Sequence, residues 1–236
     1  MRSGKQMNRF SEEHLLGVAS LICMISGGDI LLIGGGVALP KIAGYKKLRP
    51  RSEDLDFITN PTGMGRLLQT YEFVPEHTFG IPKVDGGSRV TYVNDVPVAV
   101  FESQVRGYHL PRKVFKDANI RETSGGPVYV APIELNTALK VRRGLSRGHI
   151  YTKDALDFAT MAVGAYLMGG KFDAEKWAQY MKGGVCDVCC FDGDAECVGY
   201  LAAGAKNLDR RYRPVFEQTC RDCRDAIYDF CRTNDR

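Results

Sequence analysis

The chain is 236 residues long, enough for one domain with an appendage or two small ones, and its 44% hydrophobic and 25% charged content fits a globular protein, not a fibre or a disordered tail. Its apolar runs fall well short of the ~20 residues a membrane helix needs, and the apolar stretch at 14–25 follows a polar start without a small-residue cleavage pattern, so membrane insertion and secretion are not expected and a cytoplasmic location is. A net charge of +4 permits an anionic partner such as a nucleotide or RNA without requiring one.

Ser11-Glu12-Glu13-His14 reads as a helix cap ahead of Leu15, Leu16, Val18, Leu21, Ile22 and Ile25, which predicts a helix over 11–26. Ser26-Gly27-Gly28 stops it. Asp29–Ile33 predicts a buried strand running into the turn Gly34-Gly35-Gly36, with a short helix over Gly36–Ala43. Tyr45–Arg51 is a basic loop holding Lys46, Lys47, Arg49 and Arg51. Leu55–Thr59 is the second strand, and Asn60-Pro61-Thr62 caps a helix to about Tyr71. Residues 72–87 predict loop with short extended pieces. Ser88–Val93 and Val96–Glu102 predict a hairpin turned at Asn94-Asp95, and Phe115–Arg121 with Gly126–Ala131 a second strand pair split at Ser124-Gly125.

From Pro132 the period becomes helical. Leu135, Ala138, Leu139 and Val141 mark one helix, ended by Gly144; Lys153–Leu167 is a second, capped by Thr152; Phe172–Met181 is a third. The remainder reads as helix around loops at 183–194 and 205–213. The expected fold class is α/β: a mixed sheet with flanking helices over 1–131, a helical subdomain over 132–182, and a cysteine-rich helical region over 183–236.

Asp54 and Asp56 lie two residues apart at the second strand, and positions i and i+2 share a face. Two carboxylates beside a glycine turn can hold a divalent cation against a polyphosphate, although a bare pair of this kind is about as often a water-facing strand end. Gly35 and Gly36 lack a Cβ, so phosphate can approach their N–H groups and the helix start that follows. The basic loop lies between the two features, where phosphate would come in; an exposed basic loop is equally often just solvated.

This order resembles the nucleotidyltransferase superfamily, and within it the abortive-infection toxin-like minimal nucleotidyltransferases. Gly35-Gly36-Val37-Ala38-Leu39 and Ser52-Glu53-Asp54-Leu55-Asp56-Phe57 match its first motif. Pro132-Ile133-Glu134-Leu135 through Lys140, Arg142 and Arg143, then Tyr151-Thr152-Lys153-Asp154-Ala155-Leu156-Asp157, resemble its second. The resemblance spans roughly 12–165. It implies a nucleotidyltransferase-type sheet, Mg²⁺ on Asp54 and Asp56, nucleotide held by Gly35, Gly36 and Ser52, triphosphate neutralised by Lys140 and Lys153, and Asp157 as a brace. A capped helix start with acidic residues near its dipole would show the same Lys153, Asp154 and Asp157. Two departures stand out. The third carboxylate expected on a neighbouring strand falls on Ala99. Glu102 is on the opposite face of a regular strand and substitutes only if a bulge turns it inward; Asp95 and Asp85 on turns are weaker substitutes, and a site working with two carboxylates is the other option. The arginine expected four residues before Asp54 is Pro50, flanked by Arg49 and Arg51.

Seven of the eight cysteines lie between 186 and 231. Cys186-x-x-Cys189 and Cys220-x-x-Cys223 have a spacing compatible with structural Zn²⁺; disulfides and unlinked thiols fit the same pattern. Arg210-Arg211-Tyr212-Arg213 offers phosphate pairing and stacking to RNA, against the commoner reading of a solvated helix face. The four histidines are scattered and receive no role. The expected activity is metal-dependent nucleotidyl transfer from an NTP to an acceptor hydroxyl, with a tRNA or other RNA 3′ end favoured. The alternatives are a non-catalytic nucleotide- or RNA-binding relative acting as a partner subunit of another protein, and an interaction protein organised by its cysteine-rich end.

Overall fold

A computed structural model of the chain describes residues 10–34, 54–75, 88–102, 112–145, 152–167, 169–182 and 208–234. These fall into two compact units, one formed by the segments up to 131 and one by those from 132 onward. The expected helix at 36–43, the basic loop at 45–51, Gly35, Gly36, Ser52, Cys186 and Cys189 lie outside the described residues.

In the first unit Ser11 caps helix α1 (Glu12–Ser26): its side-chain oxygen accepts from the His14 N–H at 3.0 Å, and Glu12 and Glu13 meet the positive end of the helix dipole. Gly27, at φ 69°, ends the helix in the left-handed conformation that a Cβ would disfavour. Strands β1 (Ile30–Ile33) and β2 (Leu55–Thr59) follow, then α2 (Pro61–Thr70), capped by Asn60, whose side-chain oxygen accepts from the Gly63 N–H at 2.9 Å. After the short β3 (Val74–Pro75) come β4 (Ser88–Val93) and β5 (Val96–Glu102). Asn94 and Asp95 join them, both at positive φ (49° and 66°), the tight hairpin geometry that short polar residues tolerate. The expected strand over 115–121 is corrected: Arg112–Asp117 forms a 3₁₀ helix around buried Val114, and β6 (Asn119–Thr123) begins only afterwards, pairing with β7 (Gly126–Val130).

The seven strands form one mixed sheet in the order β3-β4-β5-β2-β1-β7-β6. At its centre β2 runs antiparallel to β1 and parallel to β5. Alternate residues divide between the faces. Ile30, Leu32, Leu55, Phe57, Val96, Val98, Val100 and Val128 share a core with Leu15, Leu16, Val18, Ala19, Ile22 and Cys23 of α1 and Met64 and Leu67 of α2. Each Val, Leu, Ile, Phe or Met among them contributes roughly 1.5–3 kcal/mol on burial. The opposite face takes the alternate positions, Leu31, Ile33, Asp56, Ile58, Ala99 and Phe101.

A polar knot holds that division at one end of the β1–β2 pair. Thr59 Oγ1 donates to the Asp29 carbonyl at 2.6 Å, Asn60 Nδ2 to Asp29 Oδ1 at 2.7 Å, and Arg66 Nη1 to the Ser26 carbonyl at 2.7 Å. Gly63 packs into the knot so closely that a Cβ there would stand 2.7 Å from the Asp29 carbonyl oxygen. A one-residue slip would turn every β2 side chain to the other face, so a register fixed at Thr59 also fixes where Asp56 points.

The second unit is helical: α3 (Ile133–Leu145), α4 (Thr152–Leu167), α5 (Ala174–Lys182) and α6 (Arg213–Asn234). Phe158 of α4 is its hub, with ring centroids 5.6 Å from Phe172, 6.2 Å from Trp177 and 5.8 Å from Phe216. Such aromatic pairs add about 0.5–1.5 kcal/mol beyond their burial. Asp173 caps α5 by accepting from the Lys176 N–H at 2.9 Å, while its own N–H donates to Glu134 Oε1 at 3.1 Å. Among the described residues no helix is long and apolar enough to cross a membrane.

Candidate functional site

The β1–β2–β5 registers build the site. Asp56 lies opposite Ile33 on one side and opposite Ala99 on the other, and register partners share a face. The chain leaves β1 at Gly34 with φ 94°, which folds the backbone back against Asp56; a Cβ at Gly34 would meet Asp56 Oδ2 at 3.2 Å and Asp56 Cβ at 3.6 Å. Asp54 forms the bend just before β2 and is exposed, whereas Asp56 is half-buried. Gly34 and Asp56 therefore meet at one end of β2, and Asp54 lies two residues before Asp56 at that same end. Sequence reasoning named Gly35 and Gly36 and passed over Gly34. Its direct attachment to the first strand was the available signal, but only the β1–β2 register shows that it faces the Asp56 carboxylate.

Substituting Gly34→Ala forces a Cβ into a positive-φ conformation and against the Asp56 carboxylate. The expected cost is about 1–2 kcal/mol, read as a lowered urea midpoint at unchanged slope.

The structure does not bring Glu102 to this place. It pairs with Thr59, three residues beyond Ala99 and so roughly 10 Å further along β5. The register is continuous from Val96 to Glu102 against β2 and β4, so the bulge that would redirect it is not there. The Glu102 side chain itself lies outside the described residues.

In the second unit Lys140 of α3 and Asp157 of α4 are brought together, Nζ to Oδ2 at 2.7 Å, with Asp157 only 1% exposed and Lys140 11%. Lys153 is on the first turn of α4, its side chain outside the described residues. Cys220 and Cys223 occupy successive turns of the continuous helix α6, Cys223 buried; burial, helped by Glu217, pushes the Cys220 thiol up to about 12, and burial pushes Cys23 up to about 11. Among the described residues no three His, Cys, Asp or Glu side chains gather closely enough to hold a metal ion. Arg211 lies over the Tyr212 ring and pairs with Asp209 at 2.9 Å, and its hydrogen bonds hold the exposed Asp209 carboxyl below the usual range. His14 stacks on Phe10, and its Nε2 lies 3.2 Å from the Asn94 carbonyl oxygen, a link between α1 and the β4–β5 turn.

Chemically, Asp54 and Asp56 offer carboxylate oxygens, the donors a hard divalent cation such as Mg²⁺ prefers. The turn beside them begins with a residue that has no side chain to obstruct an anion.

No family model matches the sequence, and no curated protein matches it. Among solved structures the chain is similar to an antigenic nucleotidyltransferase-like protein from Paracoccidioides brasiliensis, at 17% identity and a TM-score of 0.36, over 64% of this chain and 76% of that one. At that distance the likeness carries no argument about this chain.

Proposed function

We propose that the first unit binds a magnesium–nucleoside triphosphate, and that the protein transfers the nucleotidyl group to an acceptor hydroxyl. The apposition of Gly34 and Asp56 carries the proposal. Gly34, which opens the glycine run, lies beside Asp56 in space although a basic stretch separates the two in sequence, and such a pairing suits a phosphate–cation site. Asp54 and Asp56 are the residues to hold the cation, which when bound would neutralise phosphate charge and polarise the reacting centre. Gly34 leaves the approach clear of a side chain. In the reaction the acceptor oxygen attacks the α-phosphorus, the bond to the bridging oxygen breaks, pyrophosphate leaves with the electron pair, and the hydroxyl proton passes to water.

One observation favours a second reading. Ala99, directly across from Asp56, supplies no oxygen where the superfamily resemblance expects the carboxylate that activates the acceptor. A site built this way would bind nucleotide better than it turns it over.

Incubating the full chain with α-labelled NTPs, Mg²⁺ and total RNA tests both. Wild type is expected to label an acceptor, and Asp54→Ala/Asp56→Ala to abolish labelling and weaken Mg²⁺–NTP binding at least about ten-fold. Equal labelling by both proteins would sink the role of the carboxylates. Tight Mg²⁺–NTP binding without transfer to RNA, protein or small-molecule hydroxyls would select the binding-only reading.

A further inference from the structure

We infer that Tyr92 is a stacking platform for the base of the acceptor, so that the acceptor is the terminal nucleotide of a single-stranded nucleic acid; this rests on reading Asp54 and Asp56 as the nucleoside triphosphate site. Tyr92 is on β4 opposite Pro97, while its neighbour Val93 pairs with Val96 in the core shared with α1 and α2. Tyr92 therefore takes the other face, the one that carries Asp56 and Ala99. Leu55 pairs with Val98, which puts Asp54, one residue earlier, level with Pro97 and so with Tyr92. Two strand spacings, roughly 10 Å, separate the two positions. Tyr92 is 58% exposed.

The order of strands gives the ring its partner. Gly34 flanks Asp56 on the β1 side; β5 and β4 flank it on the other. Phosphoryl displacement runs roughly in line, with the entering oxygen opposite the departing one. With the triphosphate on the β1 flank, the acceptor enters over β5 and β4, across Ala99, whose side chain ends at Cβ. A ring face there gains little from a serine or sugar hydroxyl. A nucleobase attached to the reacting ribose stacks on it, and does so for any base identity.

The test is fluorescence anisotropy on the full chain with a short 5′-labelled oligonucleotide, in ribo and deoxyribo forms, each also made with an abasic 3′-terminal position. Wild type is expected to bind the base-bearing end about ten-fold more tightly than the abasic end, Tyr92→Ala to erase that difference and Tyr92→Phe to keep it. The backbone that shows the difference, ribo or deoxyribo, identifies the acceptor. The inference is overturned if Tyr92→Ala keeps the preference, if wild type has none, or if no oligonucleotide binds. Mg²⁺–NTP titration of Asp54→Ala/Asp56→Ala separates the two failures. Weakened NTP binding there with no Tyr92 effect overturns this inference alone, and undiminished NTP binding overturns the nucleotide site and this inference with it.

Discussion

Replacing Ala99 by Asp is expected to raise nucleotidyl transfer by about a hundred-fold over wild type, the scale on which a positioned carboxylate assists deprotonation of an attacking hydroxyl. Ala99 and Asp56 are register partners on adjacent parallel strands, so the introduced carboxylate would stand about 5 Å from that of Asp56 on the same face. At that separation two carboxylates repel by about 3 kcal/mol at an effective dielectric near 20. The variant should accordingly melt below wild type in chelator and recover with Mg²⁺, because a cation bound to the folded state alone stabilises it by mass action. Ala99→Asn fills the same space without the charge and should show neither the gain in transfer nor the Mg²⁺-dependent recovery. Should Ala99→Asp gain neither, the row Ile33–Asp56–Ala99 is not where the cation sits.

Local features of this fold were legible in the sequence, and pairings between distant segments were not. The β4–β5 hairpin has the expected bounds because alternation and the Asn94-Asp95 turn are both short-range signals. The caps at Ser11 and Asn60 are equally local. Phe115–Asp117 misled because a short apolar–polar run reads as strand, whereas its three-residue hydrogen-bonding period and the burial of Val114 make it a 3₁₀ turn. Glu102 could be kept as a substitute carboxylate only while a bulge remained open, and strand pairing closes that option. That Gly34 meets Asp56 and that Tyr92 comes level with Asp54 follow from cross-strand register, a property of pairing that no single stretch encodes. The Lys140–Asp157 contact bridges two helices, so no helical spacing within either one announces it.

That contact yields the largest expected stability effect. Asp157→Ala should destabilise the second unit by about 3–5 kcal/mol, because it leaves the Lys140 ammonium, 11% exposed, without the carboxylate 2.7 Å away. Lys140→Met/Asp157→Leu removes both charges at similar volume and should cost far less than the single truncation, since neither buried ion is then left uncompensated. Trp177, the chain's one tryptophan, is 1% exposed among the second unit's aromatic side chains, so its fluorescence in urea reports on that unit. Mg²⁺–NTP binding measured well below the unfolding midpoint checks that the loss is one of stability alone. A brace predicts a shifted midpoint with affinity within about two-fold of wild type, a change under half a kcal/mol. An unshifted midpoint would instead mean that the pair does not brace α3 against α4.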